Sequence, residues 1–170
     1  YNELLEQMLK DEFYYGYLGK AALSSSSLKK LLQSPKVYQA SLSEQQVETK
    51  ALREGKLIHL LLLEPHKEES LNVIEVKTRT SKAYKEAAIE FGSDNTFTAV
   101  EIATAKKVVR AVKDCPEAWE MIYGAATEVP VAGEIMDLPF RAKADILHKG
   151  TRIVDLKTTG NDLSKFKYDA

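Results

Sequence analysis

A helix-rich first part followed by a β-meander, and hence an α/β or α+β layer fold, is what this chain predicts. Three observations carry the prediction. Apolar residues recur at three- and four-residue spacing through roughly the first two thirds, and the period then changes to alternation. The 170 residues, 44% hydrophobic and 29% charged, suffice for one ordinary core. With no repeat or linker to divide it, a single domain over residues 1–170 is expected.

The first element is NELLEQMLKDEF, where Leu4, Leu5, Met8 and Leu9 fall on one helical face, and a YYGYLG turn is expected after it. The serine run Ser24 to Ser27 supplies N-cap oxygens for LKKLL, whose Leu28, Leu31 and Leu32 form a stripe. Ser34-Pro35 ends that helix and starts a short one at PKVYQA. From about Gln45 to Leu63 a longer helix is expected, because Val47, Ala51, Leu52, Gly55, Ile58, His59 and Leu62 recur at helical spacing and Pro65 closes it. Gly55 inside that helix costs about 1 kcal/mol relative to Ala, which points to close packing there. A short strand at LNVIEVK precedes helices at about 81–91 and 100–113 and another at PEAWEMIY, with Gly92 and Gly124 as stops. Strands follow near TEVPVAGE, PFRAKADIL and TRIVDLKTT, separated by MDLP and HKG turns.

Composition narrows the function. Eight glycines and five prolines rule out collagen-like and low-complexity scaffolds. The 24 Lys+Arg against 25 Asp+Glu leave a net charge of -1, and no block of the chain is strongly basic or acidic, so charge alone gives no reason to expect a nucleic-acid partner. The single Cys115 excludes a disulfide framework, a four-cysteine iron-sulfur cluster and a cysteine-built zinc site, and suits a reducing cytoplasm. The apolar run LIHLLLL at 57–63 is far short of the ~18 residues a membrane span needs. The chain opens on Tyr1 and stops at KFKYDA, so a fragment of a longer protein is expected.

Chemistry concentrates in RAKADILHKGTRIVDLKTT at 141–159. Alternation places Asp155 and Lys157 on one face of their strand. If His148-Lys149-Gly150 forms a three-residue hairpin, Leu147 pairs with Thr151 and Asp145 with Ile153. Asp145 then lies diagonal to Asp155 at roughly 7 Å, within reach of one shared ion. Two carboxylates on neighbouring strands repel and are costly to desolvate, unless a divalent cation or a lysine neutralises them. Oxygen ligands favour Mg²⁺ or Mn²⁺, which activates water and shields a phosphodiester, while a lysine stabilises charge developing on the phosphate. An acid two residues before a lysine occurs four times here: Glu48/Lys50, Glu54/Lys56, Glu75/Lys77 and Asp155/Lys157. Only Asp155 has a second acid in register. The same residues read equally well as a surface Asp–Lys pair on a solvated sheet face.

His59, one turn after Gly55 in an apolar helix, is by position more commonly a hydrogen-bonded core residue than a ligand, although Gly55 would let the helix approach the sheet. His66 and His148 read as loop residues, Cys115 as an incidental thiol, and Tyr14, Tyr15 and Tyr17 as packing. No G-x-S-x-G elbow, phosphate-cradling glycine loop or H-E-x-x-H motif is present.

Taken together, these residues resemble the PD-(D/E)XK nucleases, and within them the phage and prophage exodeoxyribonuclease VIII (RecE-type) group. The resemblance covers about residues 23–160. It rests on Ser24-x-Ser26-x-Leu28 with Ser34-Pro35-x-x-Tyr38, on ALREGKLIHLLLLEP with Gly55 four residues before His59, on FRAKADIL with Asp145, and on IVDLKTT with Asp155 and Lys157. It implies a restriction-endonuclease-like core, a mixed β-sheet flanked by helices. It also implies that His59, Asp145, Asp155 and the Leu156 carbonyl hold Mg²⁺ or Mn²⁺ and that Lys157 is the catalytic lysine beside Asp145 and Asp155. The implied activity is metal-dependent exonucleolysis of linear double-stranded DNA in phage recombination, with a single-strand annealing protein as partner and a homo-oligomeric ring in some members. A nuclease-fold module that binds DNA or protein without cutting is the alternative. Ala144 stands where the motif's name has proline. The glutamine- and tyrosine-bearing helix that follows the lysine strand in this lineage is absent, so a domain truncated at its C-terminal end is expected. Around the lysine strand, Lys149, Arg152, Lys157, Lys165 and Lys167 outnumber Asp155 and Asp162.

Overall fold

The computed structural model describes residues 2–43 and 48–160. In chain order the elements are α1 (Asn2–Met8), a π-helical turn (Glu12–Tyr17), α2 (Leu18–Ala21), α3 (Ser25–Gln33), α4 (Pro35–Ser41), α5 (Lys50–Leu63), a 3-10 turn (Pro65–Ser70), β1 (Asn72–Ile74), α6 (Lys82–Phe91), β2 (Thr96–Thr98), α7 (Ala99–Lys113), α8 (Pro116–Ile122), β3 (Ala126–Ile135), β4 (Leu138–His148) and β5 (Arg152–Val154). No helix among the described residues is long and apolar enough to cross a membrane. The chain divides into two compact units, Tyr1–Val47 with Ala126–Val154, and Glu48–Ala125 with Asp155–Ala170.

The first unit is built on an antiparallel sheet of order β3-β4-β5. Met136 (φ 53°) and Asp137 (φ 60°) both take left-handed backbone, the geometry of a two-residue primed turn, and this sets Ile135 opposite Leu138. Away from β3, the other edge of β4 is tied to the N-terminal segment, since Leu23 N–H donates to Pro139 O (2.9 Å) and Arg141 N–H to Leu23 O (2.8 Å). Directly after Leu23, Ser24 caps α3 in a capping box with Ser27, and Ser34 caps α4 ahead of Pro35, as the serine and proline positions predict. Met8, Tyr14 and Ile146 are buried, and the Arg141 guanidinium stacks 4.3 Å from the Tyr14 ring centroid.

Four local expectations change here. YYGYLG is not a turn but helical, running through the π-helical turn into α2 with Tyr14 on its buried side. The β4–β5 register also moves: Leu147 pairs with Ile153 and His148 with Arg152, so Ile153 does not face Asp145. Lys149 (φ 50°) joins Gly150 (φ 69°) in the left-handed region, Thr151 N–H donates to His148 O (3.2 Å), and the loop is Lys149-Gly150-Thr151. His148 closes β4 as a buried strand residue rather than a loop residue, which holds the turn one position further along. Its Nδ1 has no hydrogen-bond partner among the described residues. β5 ends at Val154, earlier than TRIVDLKTT suggests.

The second unit packs α5 on α7 beside a parallel β1-β2 pair whose crossover is α6. Helix α5 begins at Lys50, capped by Thr49, whose Oγ1 accepts from Leu52 N–H (3.2 Å). The expected start near Gln45 lies outside the described residues. Leu57, Ile58, Leu61, Leu62 and Leu63 of α5 are buried, as are Ile102, Ala105 and Val109 of α7. Each of these side chains except Ala105 contributes about 1.5–3 kcal/mol by leaving water.

Among these apolar residues sits a buried cation. Arg53, 2% exposed, donates from Nη1 to Glu48 Oε2 (3.0 Å) and Ser93 O (2.8 Å), from Nε to Glu101 Oε1 (3.2 Å), and from Nη2 to Tyr84 Oη (3.1 Å) and to Thr96 O. Its guanidinium also lies 4.2 Å from the Phe97 ring centroid. Glu101 has a second task, accepting from Thr98 N–H (2.8 Å) in the capping box of α7. One guanidinium thus ties α5 to α6, β2 and α7. Burial works to raise the pKa of Glu48, but hydrogen bonds from Arg53 and Lys56 outweigh it and hold the carboxyl below its ordinary 4.5.

Replacing Arg53 with Met takes the buried cation from two part-buried carboxylates and a donor from two backbone carbonyls, and a loss of about 3–5 kcal/mol is expected in urea unfolding. A loss below about 1 kcal/mol would show that apolar packing alone holds this unit. The contribution of Glu48 is fully present above pH 4.5 and is lost as the pH falls through its lowered folded value. The stability advantage of wild type over E48Q, followed by circular dichroism across a pH series, is therefore expected to shrink in acid.

Candidate metal and phosphodiester site

Within the second unit, the segment after β5 is seated on one face of α5. His59 Nε2 lies 2.8 Å from the Leu156 carbonyl oxygen. The carbonyl can only accept, so Nε2 carries the proton. One turn earlier, a Cβ built on Gly55 would meet Thr158 Oγ1 at 2.8 Å, closer than real Cβ contacts allow. Positions 55 and 59 share a helix face, and positions 156 and 158 share a side of an extended segment. The helical glycine inferred to serve close packing therefore admits Thr158, and the half-buried histidine a turn away anchors the backbone beside it.

The anchored segment presents a charged pair. Lys157 Nζ donates to Asp155 Oδ1 at 2.8 Å and lies 2.6 Å from Oδ2. Both side chains are more than half exposed, so the pair adds little to stability. The same segment, from Leu156 to Gly160, helps line a cavity of about 820 Å³ together with α5, α7, Lys77 and Arg79.

The remaining expected residue, Asp145, lies in the first unit, half-buried on β4. A carboxylate oxygen of Glu128 comes within 4.8 Å of one of its own. The β3–β4 register explains this, because Thr127 pairs with Ile146 and Val129 with Ala144, which leaves Glu128 across from Asp145. Glu128 takes φ 51°, and the ladder skips a pair at that position alone between Ala126 and Ile135. Left-handed backbone at a non-glycine residue costs on the order of 1–3 kcal/mol. Two carboxylates at that separation repel by about 3 kcal/mol at an effective dielectric of 20. Lys143, two residues before Asp145 and with its side chain 10% exposed, offsets part of this from 3.6 Å off Glu128 Oε2, and it also lies 3.6 Å from Asp11.

The donor chemistry suits a hard divalent ion. Carboxylates and a backbone carbonyl are ligands of the Mg²⁺ or Mn²⁺ type, and an imidazole is a nitrogen donor that transition metals accept. Neighbouring ligands of an octahedral ion with bonds of about 2.1 Å lie about 3 Å apart, close to the 2.8 Å between His59 Nε2 and Leu156 O. His59 and the Leu156 carbonyl would hold such an ion, with the imidazole binding in its neutral form.

Glu128 and Arg53 escape sequence reasoning. Glu128 becomes visible only when MDLP is resolved into a two-residue turn at Met136-Asp137, which dictates the register with β4. Nothing in ALREGKL marks its arginine as buried, since its five contacts come from residues 5 to 48 positions away in sequence.

A methyl at position 55 must displace the Thr158 hydroxyl, while alanine improves helix propensity by about 1 kcal/mol. The two substitutions Gly55→Ala and Thr158→Ala are therefore expected to couple by 0.5–3 kcal/mol in a double-mutant cycle of thermal unfolding. Strict additivity would mean that the segment does not rest on α5.

No curated protein and no solved structure matches the chain. One family profile does, that of the PDDEXK-like domain of unknown function (DUF3799), over residues 24–170. The match spans both capped N-terminal helices, the α5 histidine, the β4 acid and the Asp155-Leu156-Lys157 segment, and the mixed α/β fold with parallel and antiparallel pairing is consistent with such a domain. The chain belongs to this PDDEXK-like family.

Proposed function

We propose that this chain is a Mg²⁺- or Mn²⁺-dependent deoxyribonuclease that degrades linear double-stranded DNA from an end, of the exodeoxyribonuclease VIII type and serving phage or prophage recombination in the cytoplasm. The observation that carries this reading is the seating of Asp155-Leu156-Lys157 on the Gly55/His59 face of α5, which holds a carboxylate, a carbonyl, an imidazole and an ammonium in one short stretch. His59, Asp145, Asp155 and the Leu156 carbonyl would hold the ion. When bound, the ion lowers the pKa of a water and offsets the negative charge of the phosphodiester. Lys157 could leave Asp155 for a substrate oxygen, because their exposed pair costs little to break. The ammonium orients the attacking water and donates to a non-bridging phosphate oxygen as charge builds there. In this hydrolysis the attacking water would give its proton to bulk water as its oxygen bonds to phosphorus, the bond to the leaving sugar oxygen would break, and that oxygen would take a proton from a solvent water. A single-strand annealing protein would receive the exposed strand, and a homo-oligomeric ring would keep the enzyme on its duplex.

A second reading has one observation in its favour. Asp155 and Lys157 satisfy each other directly and stand more than half exposed, as a surface pair would in a nuclease-fold module that binds DNA or protein without cutting.

With linear duplex DNA and Mn²⁺, the wild-type chain is expected to release nucleotides. Lys157→Ala and Asp155→Asn are expected to lower the rate by about 10²-fold or more, and chelation to abolish it. Equal rates in wild type and Lys157→Ala would remove the catalytic reading. Undiminished DNA binding by an inactive wild type, with no Mn²⁺ site in calorimetry, would establish the second one.

A further inference from the structure

We infer that the cavity of the second unit takes one strand of the DNA end, and that Arg79 binds a backbone phosphate of that strand next to the linkage that is cut. This rests on the nuclease reading above. The cavity, of about 820 Å³, is the size that encloses a small ligand and is too small for a duplex, and every residue lining it belongs to the second unit. Lys157 and the segment up to Gly160 form part of its wall, so a strand lying in it passes the candidate chemistry. Among the described residues its charged lining is Lys50, Glu54, Lys77, Arg79, Glu101 and Lys157. Four cations thus accompany two acids, and both acids are engaged, Glu54 with Lys50 (3.6 Å) and Glu101 with Arg53 (3.2 Å) and the Thr98 N–H (2.8 Å). Helix α7 adds an apolar wall, since Val100, Thr104, Val108 and Val112 recur every four residues on one face, and Val100 and Val108 stay well exposed. Apolar surface beside cations suits a nucleotide strand, whose base and sugar leave water on the one while its phosphates meet the other. Arg79 is the cation prepared for this. Its Nε donates to Tyr84 Oη (3.1 Å) and its guanidinium carbon lies 5.5 Å from the Tyr84 ring centroid. Tyr84 is a firm anchor: it is buried, and its hydroxyl also donates to Thr96 O (2.8 Å) and accepts from Arg53 Nη2 (3.1 Å). Holding Nε fixes the plane of an otherwise exposed guanidinium, and the Nη1 and Nη2 donors in that plane match two oxygens of one phosphate.

The test is fluorescence anisotropy of a labelled single-stranded DNA oligonucleotide with the full chain in EDTA, across a salt series, so that binding is read apart from cutting. Nucleotide release with Mn²⁺ is a second readout and melting temperature the check on folding. Arg79→Gln is expected to weaken strand binding about tenfold, to reduce the slope of log affinity against log salt by about 0.7, and to raise KM for release more than it lowers kcat. Arg79→Lys keeps the charge and loses the fork, so it is expected to keep the slope and recover part of the affinity. Val108→Glu, which puts a carboxylate on the exposed apolar wall, is expected to weaken binding as well. A lower melting temperature with wild-type affinity and slope in Arg79→Gln would make Arg79 a brace for Tyr84 alone and overturn the inference, and nucleotide release by the wild type would still leave the nuclease reading standing. Wild-type affinity in Val108→Glu would place the strand outside this cavity and overturn the inference likewise. Weaker, less salt-dependent binding in Arg79→Gln beside a wild type that releases no nucleotide would support the strand site and overturn the nuclease reading.

Discussion

The burial of Arg53 is the constraint on which the second unit depends. A guanidinium taken almost wholly out of water is tolerable only with each donor satisfied, and here satisfaction draws on Glu48, Glu101, Tyr84, the Ser93 and Thr96 carbonyls and the face of Phe97. Those partners include residues of α6, β2 and α7, so the position of the helix is set by charge as well as by apolar contact. About 200° further round the same helix, Gly55 and His59 face the other way and receive the Leu156–Thr158 segment. A helix pinned on one side by a fully engaged cation is a firm support for a segment that must hold its side chains steady on the other.

Charges are handled differently according to burial. Arg53 and Lys143 are nearly enclosed and each touches two carboxylates, because a lone buried charge would be prohibitive. Asp155 and Lys157 are exposed and pair with each other, an arrangement that costs little to break when a ligand competes for either group. Structural cations are therefore locked, and the pair with the candidate chemistry is left open to exchange. A net charge of -1 gives no view of this division, since it averages over groups with unlike surroundings.

Much of the architecture is legible in the chain. Serine and threonine caps, Pro35 and Pro116 at helix starts, and left-handed Gly92 and Gly124 fall where local chemistry places them, because each depends on residues within one turn. The candidate site was legible in part. Gly55 with His59, and Asp155 with Lys157, are spacings within single segments, and their geometry follows from the helix period and from alternation along extended backbone. Errors arose where a long-range contact overrides local preference. YYGYLG turns helical with Tyr14 buried beneath Arg141, and buried His148 keeps its place in β4 and moves the hairpin loop by one residue.

The sequence by itself determined which segments are helix and strand, where most of them stop, and which short motifs carry acid, base and imidazole, since these depend on dihedral preference, capping and periodicity over a few residues. Tertiary structure alone decided that Arg53 is the buried centre of its unit, that the Leu156 carbonyl meets His59, and that Glu128 turns toward Asp145. The physical reason is common to all three. Each depends on register or on partners brought together by packing, where a two-residue turn or one satisfied hydrogen bond outweighs anything the neighbouring residues prefer.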